Sequence, residues 1–197
     1  LSKDYDVYYT VQCKTEDVRA SAIDIRNEPV VNSLINRLQP SVIVHTAGLT
    51  NVDYCEDIKQ EAFDINVTGT KNVARSSEAK LVYISTDYVF DGERGPYTEQ
   101  DKPNQISIYG KTKFAGESYI ARHKDLIVRT TVIYGNHKKG DFVSWVLKKL
   151  KEGKEFNVVN GQCGNPTYNN YLADGINHLI DNKLIGIYNI VGREWLN

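Results

Sequence analysis

Tyr109 and Lys113, with Ser85 and Thr86 further upstream, are the residues whose types and spacing are best suited to chemistry. Residues four apart on a helix lie on the same face, so Lys113 is expected near Tyr109. A free tyrosine has a pKa of about 10, and a nearby ammonium lowers the pKa of the phenol by favouring the phenolate. The Thr86 hydroxyl would add a hydrogen bond to the same substrate oxygen. The pattern therefore predicts a general acid tuned toward neutral pH.

A tyrosine and a lysine at this spacing form a weak pattern by themselves, because the chain contains 13 tyrosines and chance pairs are expected. The alternative is an ordinary structural pair on a helix. The context favours catalysis, since residues 81–84 read as a buried parallel strand that would place Ser85 and Thr86 at its carboxyl end. Ligands bind at that end of the strands in open α/β sheets.

The rest of the chain predicts strands that alternate with helices. The helix at 28–38 is expected to end at Gln39, since the residue before proline is pushed out of the α region. Alternating strands and helices give a parallel sheet with right-handed crossovers, so we predict an α/β, doubly wound, Rossmann-like fold. Predicted strands are 6–11, 41–45, 81–84, 126–129 and 186–191, and predicted helices are 28–38, 55–77, one carrying Tyr109 and Lys113, and 142–151.

Composition and charge narrow the classes of function. With 25% charged and 41% hydrophobic residues and a net charge of -1, the sequence predicts a soluble globular protein without general attraction for nucleic acid or anionic membranes. The three cysteines are expected to be reduced thiols in a cytoplasmic protein. It has no apolar run of membrane-spanning length and no visible signal peptide. Cys13, Cys55 and Cys163 are widely spaced, which indicates neither a disulfide framework nor a zinc site, and no ligand cluster requires a metal.

Residues 83–92, Tyr-Ile-Ser-Thr-Asp-Tyr-Val-Phe-Asp-Gly, and 109–117, Tyr-Gly-Lys-Thr-Lys-Phe-Ala-Gly-Glu, resemble the central segments of the dTDP-4-dehydrorhamnose reductase family. This family belongs to the extended short-chain dehydrogenases/reductases. The resemblance implies an NAD(P)H-dependent oxidoreductase that reduces the C4 keto group of a nucleotide-linked deoxysugar, dTDP-4-dehydrorhamnose to dTDP-rhamnose. Further matches lie at residues 24–25, 45–53, 65–69, 129–130 and 164–167.

The resemblance also implies a role for each matching position. Tyr109 would donate a proton to the C4 carbonyl as hydride arrives from NADPH or NADH, and Lys113 would hold the nicotinamide ribose and lower the tyrosine pKa. Thr86 would hydrogen-bond the carbonyl oxygen, and Asp87 would contact the sugar. The remaining implied contacts are Asp24 and Ile25 near the adenine, Ala47, Gly48 and Leu49 beneath the pyrophosphate and ribose, and Val132 against the sugar, where well-known members have tryptophan.

Some expected parts of the family pattern are absent. The glycine-rich loop that cradles a pyrophosphate at a helix N-terminus occurs nowhere in the chain. We therefore expect this loop to precede Leu1 and the last substrate helices to follow Asn197. The predicted domains are 1–135, an incomplete NAD(P)-binding domain, and 136–197, part of the substrate-binding region. Residues 161–163, Gly-Gln-Cys, replace the usual Asp-Gln-aromatic, which leaves the nucleotide contacts open.

Three other polar residues near the predicted site have specific interpretations. Asn66 either distorts its helix and binds a water in a proton relay, or caps a helix segment that begins at Val67. His45 is better interpreted as a packed histidine than as a base. Lys14 could accept a ribose 2′-phosphate, which favours NADPH slightly over NADH.

Alternative functions remain open at this point. Relatives that dehydrate dTDP-glucose have glutamate where this chain has Tyr88, so dehydration is disfavoured, whereas epimerases share the tyrosine–lysine pair. A rival of another class is the regulatory beta subunit of methionine adenosyltransferase, a binding protein with a similar Ser-Asp-Tyr-Val-Phe-Asp-Gly segment. Thr86 keeps the reductase hydroxyl and favours catalysis. The implied partners are a nucleotide sugar and, in some family members, a second copy in a homodimer.

Overall fold

The structure is a computed structural model that describes residues 5–12, 16–135 and 141–196. Strands and helices alternate along it. A π-helical turn, Asp64–Gly69, and a 3-10 turn, Asp87–Val89, interrupt the regular elements. These elements are β1 (Tyr9–Val11), β2 (Ala20–Ala22), α1 (Glu28–Leu38), β3 (Val42–His45), α2 (Val52–Asp57), α3 (Lys59–Phe63), α4 (Thr70–Arg75), β4 (Lys80–Thr86), α5 (Ile108–Glu117), β5 (Leu126–Thr130), β6 (Ile133–Tyr134), α6 (Phe142–Lys151), β7 (Thr167–Tyr168), α7 (Asn169–Asp181) and β8 (Gly186–Asn189).

Parallel strand pairs build the sheets. β1 pairs with β2, β6 pairs with β7, and β3, β4, β5 and β8 form a four-stranded sheet in that order. The strands run parallel in the β1–β2, β3–β4 and β6–β7 pairs. β4, the second strand of the larger sheet, is buried along most of its length, as a strand covered on both faces should be. The predicted α/β fold with a parallel sheet is confirmed.

The chain divides into two compact units, Leu1–Val128 with Ile185–Tyr188, and Arg129–Leu184 with Asn189–Asn197. The predicted domains, 1–135 for the cofactor and 136–197 for the substrate, stay predictions. In the second unit, α7 buries Leu172, Ile176, Leu179 and Ile180. The main core of the first unit contains Ile25, Val31, Val73, Leu81, Tyr83, Ile120 and Ile127.

Local sequence signals account for the helices that match their predicted bounds. The Asn27 side chain caps α1 by accepting a hydrogen bond from the Val30 N–H at 3.3 Å. The helix ends at Gln39, whose φ of 44° is left-handed, directly before Pro40. Asp141 caps α6 in the same way, with the Ser144 N–H as donor at 2.8 Å.

Other elements differ from the prediction. The predicted helix 55–77 is divided into α2, α3, the π-helical turn and α4, and the predicted strand 6–11 is shorter at Tyr9–Val11. β2, β6, β7 and α7 were not predicted. The buried residues of α7 follow a helical period, but Asn169, Asn170, Gly175 and Asn177 have low helix propensity and obscure it.

Within the described ranges, no helix combines the length and the apolar character needed to cross a bilayer. The same ranges contain no group of three or more His, Cys, Asp or Glu side chains placed to hold a metal ion.

Candidate active site

α5 carries Tyr109 and Lys113 into the first unit beside the carboxyl end of β4. The Ser107 side chain starts this helix by accepting a hydrogen bond from the Gly110 N–H at 3.0 Å. Tyr109 and Lys113 are 8% and 4% exposed, so both functional groups are largely removed from water. β4 runs from Lys80 to Thr86, so the predicted strand 81–84 is longer than expected and Ser85 and Thr86 form its carboxyl end. The structure thus brings the Tyr109 phenol to the Thr86 hydroxyl, and it places Lys113 on the same helix one turn later.

Tyr109 lies in an apolar cluster. It packs with Cys55 and Ala62, and with the partly buried Leu49 and Tyr88. The rings of Tyr88 and Tyr109 meet edge to face, with their centroids 5.5 Å apart. Burial raises the pKa of Tyr109 to about 12, although a side-chain hydrogen bond with Thr86 acts in the opposite direction. The phenol therefore keeps its proton at neutral pH.

Lys113 has its own set of partners. Its Nζ donates a hydrogen bond to the Ile84 carbonyl at 2.7 Å and lies 4.1 Å from the centroid of the Tyr83 ring. Burial lowers the pKa of Lys113 to about 7, and the charge of Glu117 opposes this shift. The prediction that Lys113 lowers the pKa of Tyr109 is wrong for this arrangement, because the ammonium is held by Ile84 and burial dominates the phenol.

Thr86 connects β4 to the 3-10 turn that follows. Its Oγ1 donates to Asp87 Oδ1 at 3.1 Å and accepts from the Tyr88 N–H at 3.3 Å. Thr86 is 5% exposed, whereas Asp87 is half-buried. The negative charge of Asp87 is one cause of the raised pKa of Tyr109. These contacts hold the Thr86 hydroxyl at the end of the sheet, next to the phenol.

The loop after β3 approaches Lys113 closely at Gly48. A Cβ added to Gly48 would lie 3.0 Å from Asn66 Oδ1 and 3.9 Å from Lys113 Nζ. Ala47 packs against the main core, and Leu49 packs in the tyrosine cluster. The small side chains at 47 and 48 therefore leave the loop backbone open to a ligand beside the ammonium.

Asn66 attaches this loop to the π-helical turn. Its Oδ1 accepts from the Leu49 N–H at 2.7 Å, and its Nδ2 donates to the Leu49 carbonyl and to Thr112 Oγ1, both at 3.0 Å. The predicted helix distortion at Asn66 is confirmed. The alternative interpretation as a cap is wrong, because Asn66 and Val67 both lie inside the turn. A water relay through Asn66 stays a prediction.

We expect Asn66→Ala to lower the free energy of unfolding by about 2 kcal/mol, because the buried Asn66 amide loses its hydrogen bonds with the Leu49 backbone and with Thr112. Denaturant unfolding measures this change. The control is Asn36→Ala, on the exposed face of α1, which should leave stability nearly unchanged. Equal effects of the two substitutions would contradict the bridging role of Asn66.

His45 is a packed histidine, as predicted. It is 4% exposed, and its Nε2 lies 3.0 Å from Thr70 Oγ1. Thr70 Oγ1 also donates to the Asn66 carbonyl at 2.7 Å, so His45 must be the donor in its contact with Thr70. Burial and the Lys113 charge lower the pKa of His45 to about 3, which keeps the ring neutral.

Asp24 and Ile25 lie together in the segment between β2 and α1. Asp24 is exposed and forms an ion pair with Arg26 at 2.7 Å, and the hydrogen bonds from Arg26 lower its pKa. Ile25 is 8% exposed, and its side chain lies in the core next to Gly69. Its carbonyl accepts from Asn72 Nδ2 at 3.0 Å. The predicted adenine contacts of these two residues stay predictions.

Several singled-out positions lie outside the first unit. Val132 belongs to the second unit, is 38% exposed and has a left-handed φ of 39°. Its carbonyl accepts from the Thr167 N–H at 3.0 Å. Cys163 is exposed in the same unit. The predicted sugar contact of Val132 stays a prediction. Separately, Cys13 and Lys14 lie outside the described residues, so the predicted 2′-phosphate contact of Lys14 also stays a prediction.

Glu117 is a buried residue of α5 to which the sequence analysis gave no role. It is 1% exposed, and its Oε1 accepts a hydrogen bond from Ser85 Oγ at 2.7 Å. Its spacing of four residues from Lys113 on the same helix was the available signal.

Comparison with known proteins shows the family of this chain. The family model described as RmlD substrate binding domain matches residues 6–197. A dTDP-4-dehydrorhamnose reductase of Aggregatibacter actinomycetemcomitans is 32% identical over 185 residues, covering 88% of this chain and 63% of the relative. Methionine adenosyltransferase 2 subunit beta of Danio rerio is 33% identical over 182 residues, covering 87% and 56%. The chain thus spans less than two thirds of the length of these relatives.

Solved structures show the same likeness. A hypothetical dTDP-4-dehydrorhamnose reductase from Sulfolobus tokodaii superposes with a TM-score of 0.91 at 34% identity, over 100% of this chain and 71% of that one. The Bacillus anthracis dTDP-4-dehydrorhamnose reductase in complex with NADP gives 0.84 at 40% identity, over 89% and 64%. With a family match over nearly the whole chain and relatives above 30% identity, this protein belongs to the RmlD substrate binding domain family.

Proposed function

We propose that the protein is an NAD(P)H-dependent reductase of the C4 keto group of a nucleotide-linked deoxysugar, with dTDP-4-dehydrorhamnose as substrate and dTDP-rhamnose as product. The observation that carries this proposal is the buried Tyr109 beside Thr86 at the carboxyl end of β4, with Lys113 one turn further along α5. Relatives and solved structures named as dTDP-4-dehydrorhamnose reductases support the same chemistry.

In this proposal Thr86 and Tyr109 share the ketone oxygen. The nicotinamide, when bound, supplies hydride to C4. The carbonyl oxygen then gains negative charge, which the Thr86 hydroxyl and the Tyr109 phenol can stabilise by hydrogen bonds. Tyr109 holds its proton at neutral pH, as a general acid must, and an alkoxide is a stronger base than a phenolate. Proton transfer from Tyr109 to the sugar oxygen is therefore favourable.

Residues around Lys113 fit a dinucleotide. A side chain at Gly48 would crowd Asn66 and would occupy the space beside Lys113, which the glycine leaves for a ligand. We assign the nicotinamide ribose to Lys113, the pyrophosphate and ribose to the backbone of residues 47–49, and the adenine to Asp24 and Ile25. Asp87 and Val132 are assigned to the sugar. The solved structure with bound NADP supports this cofactor class.

A second candidate is a non-catalytic binding subunit. A methionine adenosyltransferase subunit beta is as similar to this chain as the reductase from Aggregatibacter, at 33% against 32% identity. Identity therefore does not discriminate between the two functions. The hydroxyl of Thr86 and its hydrogen bond to Tyr109 favour catalysis, because they place two donors at one ketone oxygen.

The purified protein should oxidise NADPH or NADH when given dTDP-4-dehydrorhamnose, with dTDP-rhamnose as the product. Cofactor absorbance measures the rate, and mass spectrometry of the nucleotide sugar identifies the product. UDP-glucose, which has no C4 ketone, is the control and should give no oxidation. Cofactor binding without turnover would contradict the reductase proposal and favour the binding subunit.

A further inference from the structure

Asn72 is a buried polar residue to which the proposed reaction gives no role. It lies in α4 and is 5% exposed. Its side-chain Nδ2 donates hydrogen bonds to the carbonyls of Ile25 and Arg26, at 3.0 and 3.1 Å. A side-chain amide has two N–H donors, so one nitrogen can serve both carbonyls. Asn72 therefore ties α4 to the segment between β2 and α1, which lies 46 to 47 residues earlier in the chain.

Packing fixes the same segment. The side chain of Ile25 is 8% exposed and lies against Gly69 in the π-helical turn, where an added Cβ would be 2.5 Å from Ile25 Cδ1. Ile25 thus points into the core, whereas its neighbours Asp24 and Arg26 are exposed. Because α4 follows the π-helical turn directly, one continuous stretch of chain holds both the inward side chain and the backbone of this segment.

The exposed side of the segment carries a carboxylate with a fixed orientation. Arg26 Nε and Nη2 donate to Asp24 Oδ2 at 2.9 and 2.7 Å, and Arg26 Nη1 lies 3.6 Å from Glu61 Oε1 in α3. The hydrogen bonds from Arg26 lower the pKa of Asp24, so this carboxyl is ionised at neutral pH. A carboxylate has about four acceptor positions and no donor, so Asp24 can accept a further bond from the 6-amino group of adenine.

We propose that Asn72 is a positioning residue of the cofactor site, whose side-chain amide holds the backbone of residues 25–26 where Asp24 and Ile25 receive the adenine. This inference rests on the proposed function, which assigns the adenine to those two residues. A segment that is held before binding loses less conformational freedom when the ligand arrives, and this preorganisation strengthens binding. Asn72 acts only through the segment, so it should affect binding of the adenine half and not hydride transfer.

The experiment measures the affinities for two halves of the cofactor by isothermal titration calorimetry. ADP contains the adenine, and reduced nicotinamide mononucleotide does not. Asn72→Asp keeps the size of the side chain but replaces the donor nitrogen by an acceptor oxygen, which repels both carbonyls. We expect this substitution to weaken ADP binding about tenfold or more, because the segment loses two hydrogen bonds. The affinity for the nicotinamide half should stay close to that of the wild type.

Steady-state kinetics separates positioning from chemistry. In Asn72→Asp the KM for NADPH should rise about tenfold, whereas kcat at saturating cofactor should stay close to that of the wild type. Val82→Ala is the control for lost stability, since it removes buried methyl groups from β4 and leaves the hydrogen bonds of Asn72 in place. It should lower the free energy of unfolding without changing the affinity for ADP.

Unchanged ADP affinity in Asn72→Asp would overturn the proposal, as would an equal loss of affinity for both halves of the cofactor. The same loss of ADP affinity in Val82→Ala, or a wild-type protein that binds no ADP, would also overturn it. If Asn72→Asp does not fold, Asn72→Ser decides by the same comparison, since a serine hydroxyl can donate to only one carbonyl.

The outcomes also separate this inference from the proposed function. Weakened ADP binding in Asn72→Asp, in a protein without reductase activity, would support the role of Asn72 and contradict the reductase proposal. An active reductase whose KM for NADPH is unchanged in Asn72→Asp would contradict the role of Asn72 alone.

Discussion

Tyr109→Phe is expected to reduce turnover by about 10²- to 10⁴-fold, the usual contribution of a positioned general acid. The substitution removes the phenolic proton that the proposed mechanism transfers to the ketone oxygen. It keeps the aromatic ring, which packs against Cys55 and lies 5.5 Å from the centroid of Tyr88. Steady-state oxidation of NADPH measures the loss, and the KM for the cofactor should change little.

The control for this substitution is Tyr119→Phe. Tyr119 follows α5 and is 37% exposed, so the loss of its hydroxyl should alter neither turnover nor stability appreciably. The free energy of unfolding of Tyr109→Phe should lie within about 1 kcal/mol of wild type, since one hydroxyl bond is lost. Unchanged turnover in Tyr109→Phe would show that Tyr109 is not the proton donor.

Gly110→Ala is expected to lower the free energy of unfolding by about 3 kcal/mol or more, at the upper end of overpacking costs. An added Cβ would lie 2.1 Å from the Tyr88 carbonyl oxygen. This atom belongs to the backbone of the 3-10 turn, so it cannot rotate away as a side chain would. Relief requires α5 and the turn to separate, which would also move Tyr109 away from Thr86.

Denaturant unfolding and activity together test the substitution at Gly110. Alanine normally stabilises a helix relative to glycine by about 1 kcal/mol, so a loss of stability identifies the steric clash. Gly164→Ala is the control, because its Cβ would make an ordinary contact, 3.7 Å from Val132 Cγ2. A Gly110→Ala protein as stable as wild type would contradict the close packing of α5 on the turn.

Local residue patterns were sufficient for much of the fold. The cap at Asn27 and the proline after Gln39 define α1, and the buried apolar run of β4 defines the central strand with Thr86 at its end. The spacing of Tyr109 and Lys113 placed both on α5. These features depend on backbone preferences and on the hydrophobic period, which act over a few residues.

Tertiary packing decided the electrostatics of the site. The pKa of Tyr109 is raised because Cys55 and Tyr88 pack around the phenol. Lys113 is directed to the carbonyl of Ile84, 29 residues away in the chain. Burial and long-range partners determine such shifts, and helical spacing does not specify either one.

The π-helical turn shows the same division between local and long-range causes. The sequence indicated that Asn66 either distorts the predicted helix 55–77 or caps a segment that begins at Val67. Tertiary contacts decided that this segment is a π-helical turn. The Asn66 side-chain amide forms hydrogen bonds with the N–H and the carbonyl of Leu49, which lies 17 residues earlier in the chain. The sequence by itself therefore determined α1, α6, most of β4 and the shared helix of Tyr109 and Lys113, where local signals are strong. Only the tertiary structure decided which buried polar groups meet, because those partners come from distant parts of the chain.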